Sequence, residues 1–224
     1  MMQTPAAILF DLDGTLADSA PDFFATVNSL RAEDGLPAFA FDTVRQQVSN
    51  GGAALTRLTW GISEEHPEFW QRRQRLLDRY QQLIGTAGGL FPGYTEVLNY
   101  FTATALPWGI VTNKPRLYTD LLLPKLNIHA GVVICPEDVV NRKPAPDPLL
   151  KAAALLGLAA ADCWYVGDHI RDIESARAAG MRAIAATFGY IEEDNDPLSW
   201  QADDYIASPL DLIPMLEKSG KVPA

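Results

Sequence analysis

The sequence predicts an α/β fold, in which a mostly parallel sheet carries helices on both faces and is interrupted by one inserted group of helices. Short apolar runs alternate with helix-like segments from residue 106 onward, and one further apolar run lies at residues 6–10. Residues 19–84 break this alternation with helical periodicity alone. The chain has 224 residues, about half of them apolar, which is enough for a full core and a smaller appended unit.

Six short apolar runs predict the strands of the sheet. In chain order they cover residues 6–10, 108–112, 131–135, 163–167, 182–186 and 204–207. Their content of β-branched residues is typical of strands that are buried on both faces. Helices are expected in the intervening segments, near residues 116–123, 147–156 and 172–179.

The interrupting segment predicts four helices and no strand. They are expected, in order, over residues 19–35, 42–48, 53–60 and 67–84. "SAPD" (19–22) has the spacing of a capping box, so Ser19 and Asp22 are interpreted as caps of the first helix. Asp42 is expected to cap the second helix, and Pro67 to open the fourth.

The chain returns from these helices through "GTAGGLFPG" (85–93), a segment rich in residues that break regular structure. We therefore expect two domains: residues 18–90 form a helical cap, and residues 1–17 with 91–224 form the core. A cap joined through such a segment can move as a lid. The alternative is a rigid addition that carries one loose loop.

Composition and charge exclude several classes of partner. The net charge is -10, and the one basic cluster, "RRQR" (72–75), is interpreted as the solvated face of a helix, so nucleic acid is not expected as a partner. No apolar run approaches the roughly 20 residues of a membrane span, and no signal-like segment opens the sequence. Cys135 and Cys163 lie in strand-like runs and are expected to be buried thiols. A cytoplasmic protein is the resulting expectation.

Polar residues follow the predicted strands at the points where these end. In an open α/β sheet, ligands bind beyond the carboxyl ends of the strands. The residues at these ends are Asp11, Asp13, Gly14 and Thr15, then Thr112, Asn113 and Lys114, then Lys143, and finally Asp168, His169 and Asp172. Acids, a hydroxyl and a lysine in one place suit a divalent cation with oxygen ligands and a phosphate group.

Asp11 and Asp13 stand one residue apart at the end of a buried strand, where their charges repel. A metal ion would neutralise Asp11 and Asp168 and leave Asp11 oriented as an oxygen nucleophile. Asp13 can reach the same side of the site and would serve as a general acid toward the leaving oxygen, then as a base toward water.

Each of these positions also fits a purely structural role. Asp11 and Asp13 could be turn residues, and Thr112 could be a β-forming residue at a strand end. Lys143 could be a surface lysine before a proline, and Asp172 could cap the helix that follows it.

Four motifs occur in a fixed order: "DLDGT", "VTNKP", "KPAP" and "GDHIRD". They resemble the motifs of the haloacid dehalogenase superfamily, specifically its phosphatase branch, in which a helical cap follows the first motif. The resemblance spans essentially the whole chain and implies a Rossmann-like core, Mg²⁺ as cofactor and a small-molecule phosphate ester as substrate. Asp13 argues against dehalogenase activity, because that branch lacks an acid at this position.

The resemblance also implies a role for each motif residue. Asp11 would be the nucleophile and Asp13 the acid and base. Thr112 would bond the phosphoryl group, with the backbones of Gly14 and Asn113 nearby, and Lys143 would neutralise the phosphate and Asp11.

The implied metal site lies among the same motifs. Mg²⁺ would be bound by Asp11, the carbonyl of Asp13 and Asp168. Asp172 would support these ligands, and His169 is expected to face the site from the same loop.

The cap is expected to choose the substrate. Its segment 44–58 contains a glycine break where Asn50 and Gly51 could meet a substrate, and Arg45 and Arg57 are the nearest cations, with Lys114 in the core. "GDH" and the late "GYIEEDNDP" (189–197) resemble the N-acetylmuramic acid 6-phosphate phosphatases of bacterial cell-wall recycling. Phosphoglycolate phosphatases are the closely related alternative.

Two further alternatives concern the reaction itself: a sugar-phosphate mutase, and a module that binds phosphate without catalysis. No cap residue demands a mutase, and Asp13 would be superfluous in a module that only binds phosphate. Whether the protein is a monomer or a dimer is left open by the sequence.

Overall fold

The structure is a computed structural model, and it describes residues 4–220. Six strands form one parallel sheet in the order β5-β4-β1-β6-β7-β8, and β2 and β3 form a separate antiparallel pair. The strands are β1 (Ala7–Phe10), β2 (Ala17–Asp18), β3 (Gly89–Leu90), β4 (Trp108–Val111), β5 (Val133–Ile134), β6 (Cys163–Gly167), β7 (Arg182–Ala186) and β8 (Asp204–Ile206). The predicted α/β class with a parallel sheet is confirmed.

Strand β1 lies at the centre of the sheet, between β4 and β6. Ile8 pairs with Trp108 on one side and with Trp164 on the other. The four apolar residues of β1 are fully buried, which removes their side chains from water on both faces of the sheet. The carboxyl ends of β1, β4 and β6 therefore lie side by side, and the polar segments that follow these strands meet there.

Nine α-helices are described within residues 4–220. They are α1 (Ala20–Glu33), α2 (Phe41–Arg45), α3 (Gly51–Trp60), α4 (Phe69–Leu83), α5 (Tyr94–Ala103), α6 (Arg116–Lys125), α7 (Asp147–Leu155), α8 (Ile170–Ala178) and α9 (Leu212–Lys218). Helices α5 and α9 lie in segments for which the sequence pattern predicted no element. Strand β5 is shorter than the predicted 131–135, and at its C-terminal end the N–H of Cys135 leaves the ladder and donates to Asp138 (N···O 2.8 Å).

Helices α1–α4 occupy the segment predicted as the cap, and they pack on one another around α1. The rings of Phe23 on α1 and Tyr80 on α4 stack with their centroids 3.9 Å apart. Two predicted helix starts are shifted: Asp42 lies inside α2 rather than capping it, and α4 begins at Phe69 rather than at Pro67. The division into two domains stays a prediction.

The chain enters and leaves the cap through β2 and β3, which the sequence analysis did not predict. Ala17 pairs with Leu90, and Asp18 pairs with Gly89. The two ends of residues 18–90 are thus held next to each other by backbone hydrogen bonds.

Asp22 connects α1 to the return segment of the cap. Its fully buried carboxylate accepts four backbone hydrogen bonds, with N···O distances of 2.7–3.1 Å, from Gly85, Thr86, Ala87 and Gly88. The expected capping role of Ser19 is wrong: its side chain makes no capping hydrogen bond to α1 and instead donates to Asp13. The acid and the hydroxyl of "SAPD" therefore tie α1 to other parts of the molecule.

Two observations bear on the class of protein. Both cysteines are free and buried, as predicted. Within residues 4–220, no helix is both long enough and apolar enough to cross a membrane.

Candidate active site

Three carboxylates meet where β1 and β6 end. One oxygen from each of Asp11, Asp168 and Asp172 can be chosen so that all three lie within 4.8 Å of one another, and all three residues are buried. The ammonium of Lys143, also buried, lies 2.9 Å from Asp11 Oδ1 and 2.7 Å from Asp172 Oδ1. Four predicted site residues are thus brought together from three separate segments of the chain.

The charges in this cluster do not balance. Burial, and then the charges of Asp11 and Asp172, raise the pKa of Asp168 to about 7. Burial also raises the pKa of Asp172, although Lys143 opposes it. Burial acts to lower the pKa of Lys143, but the two carboxylates in contact with it outweigh burial and raise that pKa.

The unbalanced charge fits a divalent cation. In the described part of the chain, the cluster holds three carboxylates and one ammonium, which contacts Asp11 and Asp172, so two negative charges are left uncompensated when all three acids are ionised. Buried carboxylate oxygens are the ligands that Mg²⁺ prefers in proteins. Asp11, Asp168 and Asp172 could hold such an ion; the predicted contribution of the Asp13 carbonyl stays a prediction.

Asp168 is oriented by groups from the core and the cap. Its Oδ1 accepts from Thr15 Oγ1 at 3.0 Å, and its Oδ2 accepts from the N–H of Tyr190 at 2.9 Å and from Ser49 Oγ at 3.4 Å. Gly14 allows this packing: its φ is +84°, and a Cβ at this position would lie 2.1 Å from Asp168 Oδ2. The glycine of "DLDGT" is therefore required by close approach as well as by backbone conformation.

The two oxygens of Asp11 have different surroundings. Oδ1 accepts from the N–H of Leu12 at 2.7 Å and contacts Lys143 at 2.9 Å. Oδ2 receives no hydrogen bond from any residue in 4–220, and Asp11 lines a cavity. One oxygen is anchored, and the other is left available to a ligand.

Asp13 is held by a cation and a hydroxyl. Lys114 Nζ lies 3.1 Å and 3.0 Å from its two carboxylate oxygens, and Ser19 Oγ donates to Oδ1 at 2.5 Å. Lys114 is buried and also donates to the hydroxyl of Tyr80 at 2.6 Å. Asp13 is thereby connected to helix α4 of the cap through one lysine.

The cavity lies between the core and the cap and has a volume of about 140 Å³. Residues that follow β1 and β4 form its floor: Asp11, Asp13, Thr112, Asn113, Lys114 and Pro115. Cap residues form its roof: Phe23, Val48, Ser49, Gly51, Gly52, Arg73, Leu77 and Tyr80. Tyr118 and Arg171 of the core complete the wall. The cavity is therefore bounded on one side by the polar residues at the strand ends and on the other by apolar and cationic residues of the cap.

Thr112 and Asn113 present hydrogen-bonding groups to this cavity. Thr112 Oγ1 accepts from the N–H of Lys114 at 3.1 Å, which leaves its own O–H free to donate to a ligand. Asn113 Nδ2 donates to the carbonyl of Lys143 at 2.9 Å. Asn113 Oδ1 is buried and has no partner in residues 4–220.

The cap residues predicted to meet the substrate are dispersed. Gly51 lines the cavity, but Asn50 is exposed and bonds to Glu192. Arg45 donates to two core carbonyls, and Arg57 forms an exposed ion pair with Glu64. The structure therefore does not bring Asn50, Arg45 and Arg57 to the cavity wall.

Sequence reasoning missed two cations of this wall, Arg73 and Arg171. Arg73 belongs to the "RRQR" cluster, which was interpreted as solvated, and that interpretation is wrong for this residue. A signal was present, because Arg73 shares a helical stripe with Leu77 and Tyr80, both of which line the cavity. Arg171 follows the "GDH" motif and donates to the carbonyl of Ser49.

His169 acts as the N-cap of α8. Its Nδ1 accepts from the N–H of Arg171 at 3.2 Å, and its ring stacks near Trp200 with centroids 6.4 Å apart. Burial, and then the charge of Arg171, lower the pKa of His169 to about 4. A neutral imidazole is what this cap requires, since a protonated Nδ1 cannot accept a hydrogen bond.

Comparison with known proteins places this fold and site in one family. The family model of the haloacid dehalogenase-like hydrolases matches residues 8–186. A phosphoglycolate phosphatase from Xanthomonas campestris pv. campestris (strain 8004) is 44% identical over 219 residues, covering 94% of this chain and 96% of that protein. An N-acetylmuramic acid 6-phosphate phosphatase from Pseudomonas aeruginosa is 39% identical over 215 residues, covering 95% of each chain.

The solved structures agree on the fold. A crystal structure of a phosphoglycolate phosphatase, so designated by prediction, from Haemophilus somnus 129PT superposes with a TM-score of 0.83 at 24% identity, covering 96% of this chain and 99% of that one. The chain belongs to the haloacid dehalogenase-like hydrolases. Within that family it is a phosphatase.

Proposed function

We propose that this phosphatase is a Mg²⁺-dependent phosphomonoester hydrolase that works through an aspartyl-phosphate on Asp11. The observation that carries the proposal is the asymmetry of the Asp11 carboxylate. Lys143 and the N–H of Leu12 fix Oδ1, while Oδ2 accepts no hydrogen bond from residues 4–220 and Asp11 lines the cavity. A fixed carboxylate with one open oxygen is the arrangement that nucleophilic catalysis requires.

The reaction proceeds in two displacements at phosphorus. Asp11 Oδ2 attacks, a bond from Asp11 to phosphorus forms, and the bond from phosphorus to the ester oxygen breaks while Asp13 gives that oxygen a proton. Water then attacks the same phosphorus, Asp13 takes a proton from it, and the bond to Asp11 breaks to release inorganic phosphate. Thr112 donates a hydrogen bond to the phosphoryl oxygens throughout.

Asp11, Asp168 and Asp172 would hold the Mg²⁺ ion beside Lys143. When bound, the ion neutralises negative charge on the transferring phosphoryl group and on the carboxylates. The excess of buried carboxylate over ammonium supports this assignment.

As substrate we propose N-acetylmuramic acid 6-phosphate, in peptidoglycan recycling, with 2-phosphoglycolate as the second candidate. The "GDH" and "GYIEEDNDP" segments and the Pseudomonas aeruginosa relative favour the first. The Xanthomonas campestris relative favours the second, as does the cavity volume of about 140 Å³. Cavities for drug-sized ligands are usually about 300–1,000 Å³, so a muramyl group requires displacement of the cap.

Asp11→Asn tests the nucleophile. We expect release of phosphate from p-nitrophenyl phosphate to fall at least about a thousand-fold in the variant, since the attacking oxygen is lost. Removal of Mg²⁺ by a chelator should abolish the wild-type activity. Asp42→Asn, at an exposed position of α2, is the matched control and should keep the wild-type rate. Equal rates for wild type and Asp11→Asn would contradict the proposal.

The same enzyme then distinguishes the substrates. We expect kcat/KM to be higher for N-acetylmuramic acid 6-phosphate than for 2-phosphoglycolate and simple sugar phosphates. A preference of tenfold or more for 2-phosphoglycolate would reverse the ranking of the two. An isomerised sugar phosphate in place of free phosphate would identify a mutase instead.

A further inference from the structure

Arg73 is a cation of the cavity wall that has no hydrogen-bond or ion-pair partner in residues 4–220, and its guanidinium lies 5.9 Å from the centre of the Trp70 ring. It lies on α4 of the cap and is half-buried. A Cβ at Gly52, across the roof, would lie 3.8 Å from Arg73 Nε and 3.9 Å from Nη2, which places the guanidinium beside a residue that lines the cavity. The guanidinium makes no hydrogen bond and no ion pair with any residue in 4–220.

The other arginines of α4 are engaged elsewhere. Arg72, Arg75 and Arg79 form ion pairs with Glu33, Asp34 and Glu68, all on the outer side of the cap. Arg73 stands out among them because the charged residues of this outer cluster do not reach it.

The other cations of the cavity wall are also engaged. Lys114 is paired with Asp13 at 3.0 Å, and Arg171 donates to the carbonyl of Ser49. Arg73 therefore has all of its hydrogen-bond donors available to a molecule bound in the cavity.

The position of Arg73 fits a second anionic group of the ligand. The phosphoryl end of the cavity is fixed in the core by Asp11 and Thr112, whereas Arg73 projects from the cap. Leu77 and Tyr118 line the same wall, so a charge that reaches Arg73 is partly removed from water. A planar guanidinium in such a place binds a carboxylate through two parallel hydrogen bonds.

We propose that Arg73 binds a carboxylate of the substrate and so makes the enzyme select phosphate monoesters that carry a second anionic group. This role for Arg73 rests on the proposed function, because it assigns recognition of the phosphatase's substrate class to one residue of the cap. The lactyl carboxylate of N-acetylmuramic acid 6-phosphate and the carboxylate of 2-phosphoglycolate both belong to this class.

The test uses pairs of substrates that differ chiefly in the carboxylate. N-acetylmuramic acid 6-phosphate is compared with N-acetylglucosamine 6-phosphate, and 2-phosphoglycolate with 2-hydroxyethyl phosphate. We expect Arg73→Gln to lower kcat/KM by about 10- to 100-fold on the better carboxylate substrate, mainly through KM, because a charged hydrogen-bonding pair is lost. On its carboxylate-free partner the change should stay below about twofold.

Two further variants make the result specific. Arg73→Lys keeps the positive charge but not the planar guanidinium, so this variant should retain part of the selectivity that Arg73→Gln loses. Arg72→Gln, the neighbouring position with its outward ion pairs, should leave the selectivity unchanged. Thermal unfolding of each variant, followed by circular dichroism, verifies that the cap is folded.

Three outcomes would overturn the inference: a wild-type enzyme without preference for the carboxylate substrates, an equal loss for Arg73→Gln on both members of a pair, or no loss on either. These outcomes differ from failure of the proposed function. If the proposed function fails, either the wild-type enzyme releases no phosphate from any of these substrates, or Asp11→Asn releases it at the same rate.

Discussion

We expect Asp168 to make the unfolding free energy depend on pH and, through the proposed Mg²⁺ site, on metal. Burial and two neighbouring carboxylates raise its pKa from 3.8 to about 7, so between these values the folded chain holds a proton that the unfolded chain releases. The stabilisation from this proton is complete below about pH 4 and is lost as the pH rises through 7. We expect the metal-free protein to lose on the order of a few kcal/mol of unfolding free energy over this range through Asp168.

Urea unfolding at pH 5, 6, 7 and 8 measures this effect. Asp168→Asn removes the titrating carboxyl, so its unfolding free energy without metal should depend less on pH than that of the wild type. Mg²⁺ should stabilise the wild type at pH 8 and have little effect on Asp168→Asn. Parallel pH profiles of the two proteins without metal would contradict the assignment.

The residues at the strand ends were predictable because their positions depend on local sequence. Asp11, Thr112 and Asp168 each follow a buried apolar strand, and parallel strands deliver such residues to one edge of the sheet. The sequence alone could not show which of Arg73 and Arg57 lies at the cavity. Both are arginines on cap helices, and only the packing of α3 and α4 decides which of them lines the cavity.

At the level of elements, the carboxylate of Asp22 organises the return segment of the cap. It collects the backbone N–H groups of residues 85–88, and Gly88 permits the approach, because a Cβ there would lie 2.6 Å from the carbonyl oxygen of Asp18. The sequence analysis placed Asp22 as a helix cap because its spacing from Ser19 fits one. The actual partners lie more than sixty residues away, beyond the reach of local pattern.

Asp22→Ala should loosen this segment. Four backbone N–H groups lose their acceptor and the buried carboxylate is removed, so we expect a loss of unfolding free energy on the order of 3 kcal/mol and faster amide exchange at residues 85–88. Hydrogen exchange followed by mass spectrometry measures the second effect, and urea unfolding the first. Asp42→Ala on the exposed face of α2 is the control, with an expected change within about 0.5 kcal/mol. Unchanged exchange at residues 85–88 in Asp22→Ala would show that other contacts hold the segment.

At the level of the whole molecule, the cap and the core are joined across the candidate active site. Arg45 Nη2 donates to the carbonyls of Phe188 and Gly189 at 2.8 Å and 2.7 Å, and its guanidinium lies 5.2 Å from the centre of the Tyr190 ring. The N–H of Tyr190 in turn donates to Asp168. A cap in this position therefore supports the carboxylate cluster through the backbone of residues 188–190, and we expect a large substrate to displace the cap.

Arg45→Gln should shift the cap away from this closed position. We expect kcat/KM for 2-phosphoglycolate, the smaller candidate substrate, to fall about tenfold, since the lost hydrogen bonds from a charged donor are worth about 1.5–3 kcal/mol. Amide exchange at residues 188–190 should become faster, and a phosphate analogue should slow exchange in the wild type at residues 85–93.

Arg57→Gln is the matched control for this prediction. Arg57 belongs to the same cap, but its exposed ion pair with Glu64 makes no contact with the core, and such pairs contribute about 0–1 kcal/mol. Its kcat/KM should change less than twofold. A rigid cap would instead leave the exchange rates of wild type and Arg45→Gln the same, with and without the phosphate analogue.

The short antiparallel pair of β2 and β3 has a consequence for how such an enzyme diversifies. Because Ala17 and Asp18 pair with Leu90 and Gly89, the helices between them form an inserted segment whose two ends lie side by side. A change in the length or sequence of this inserted segment adds little to the entropic cost of loop closure and leaves the order of the six-stranded sheet intact. New substrate specificities can therefore arise by replacement of the inserted helices, while the residues at the strand ends of the core stay the same.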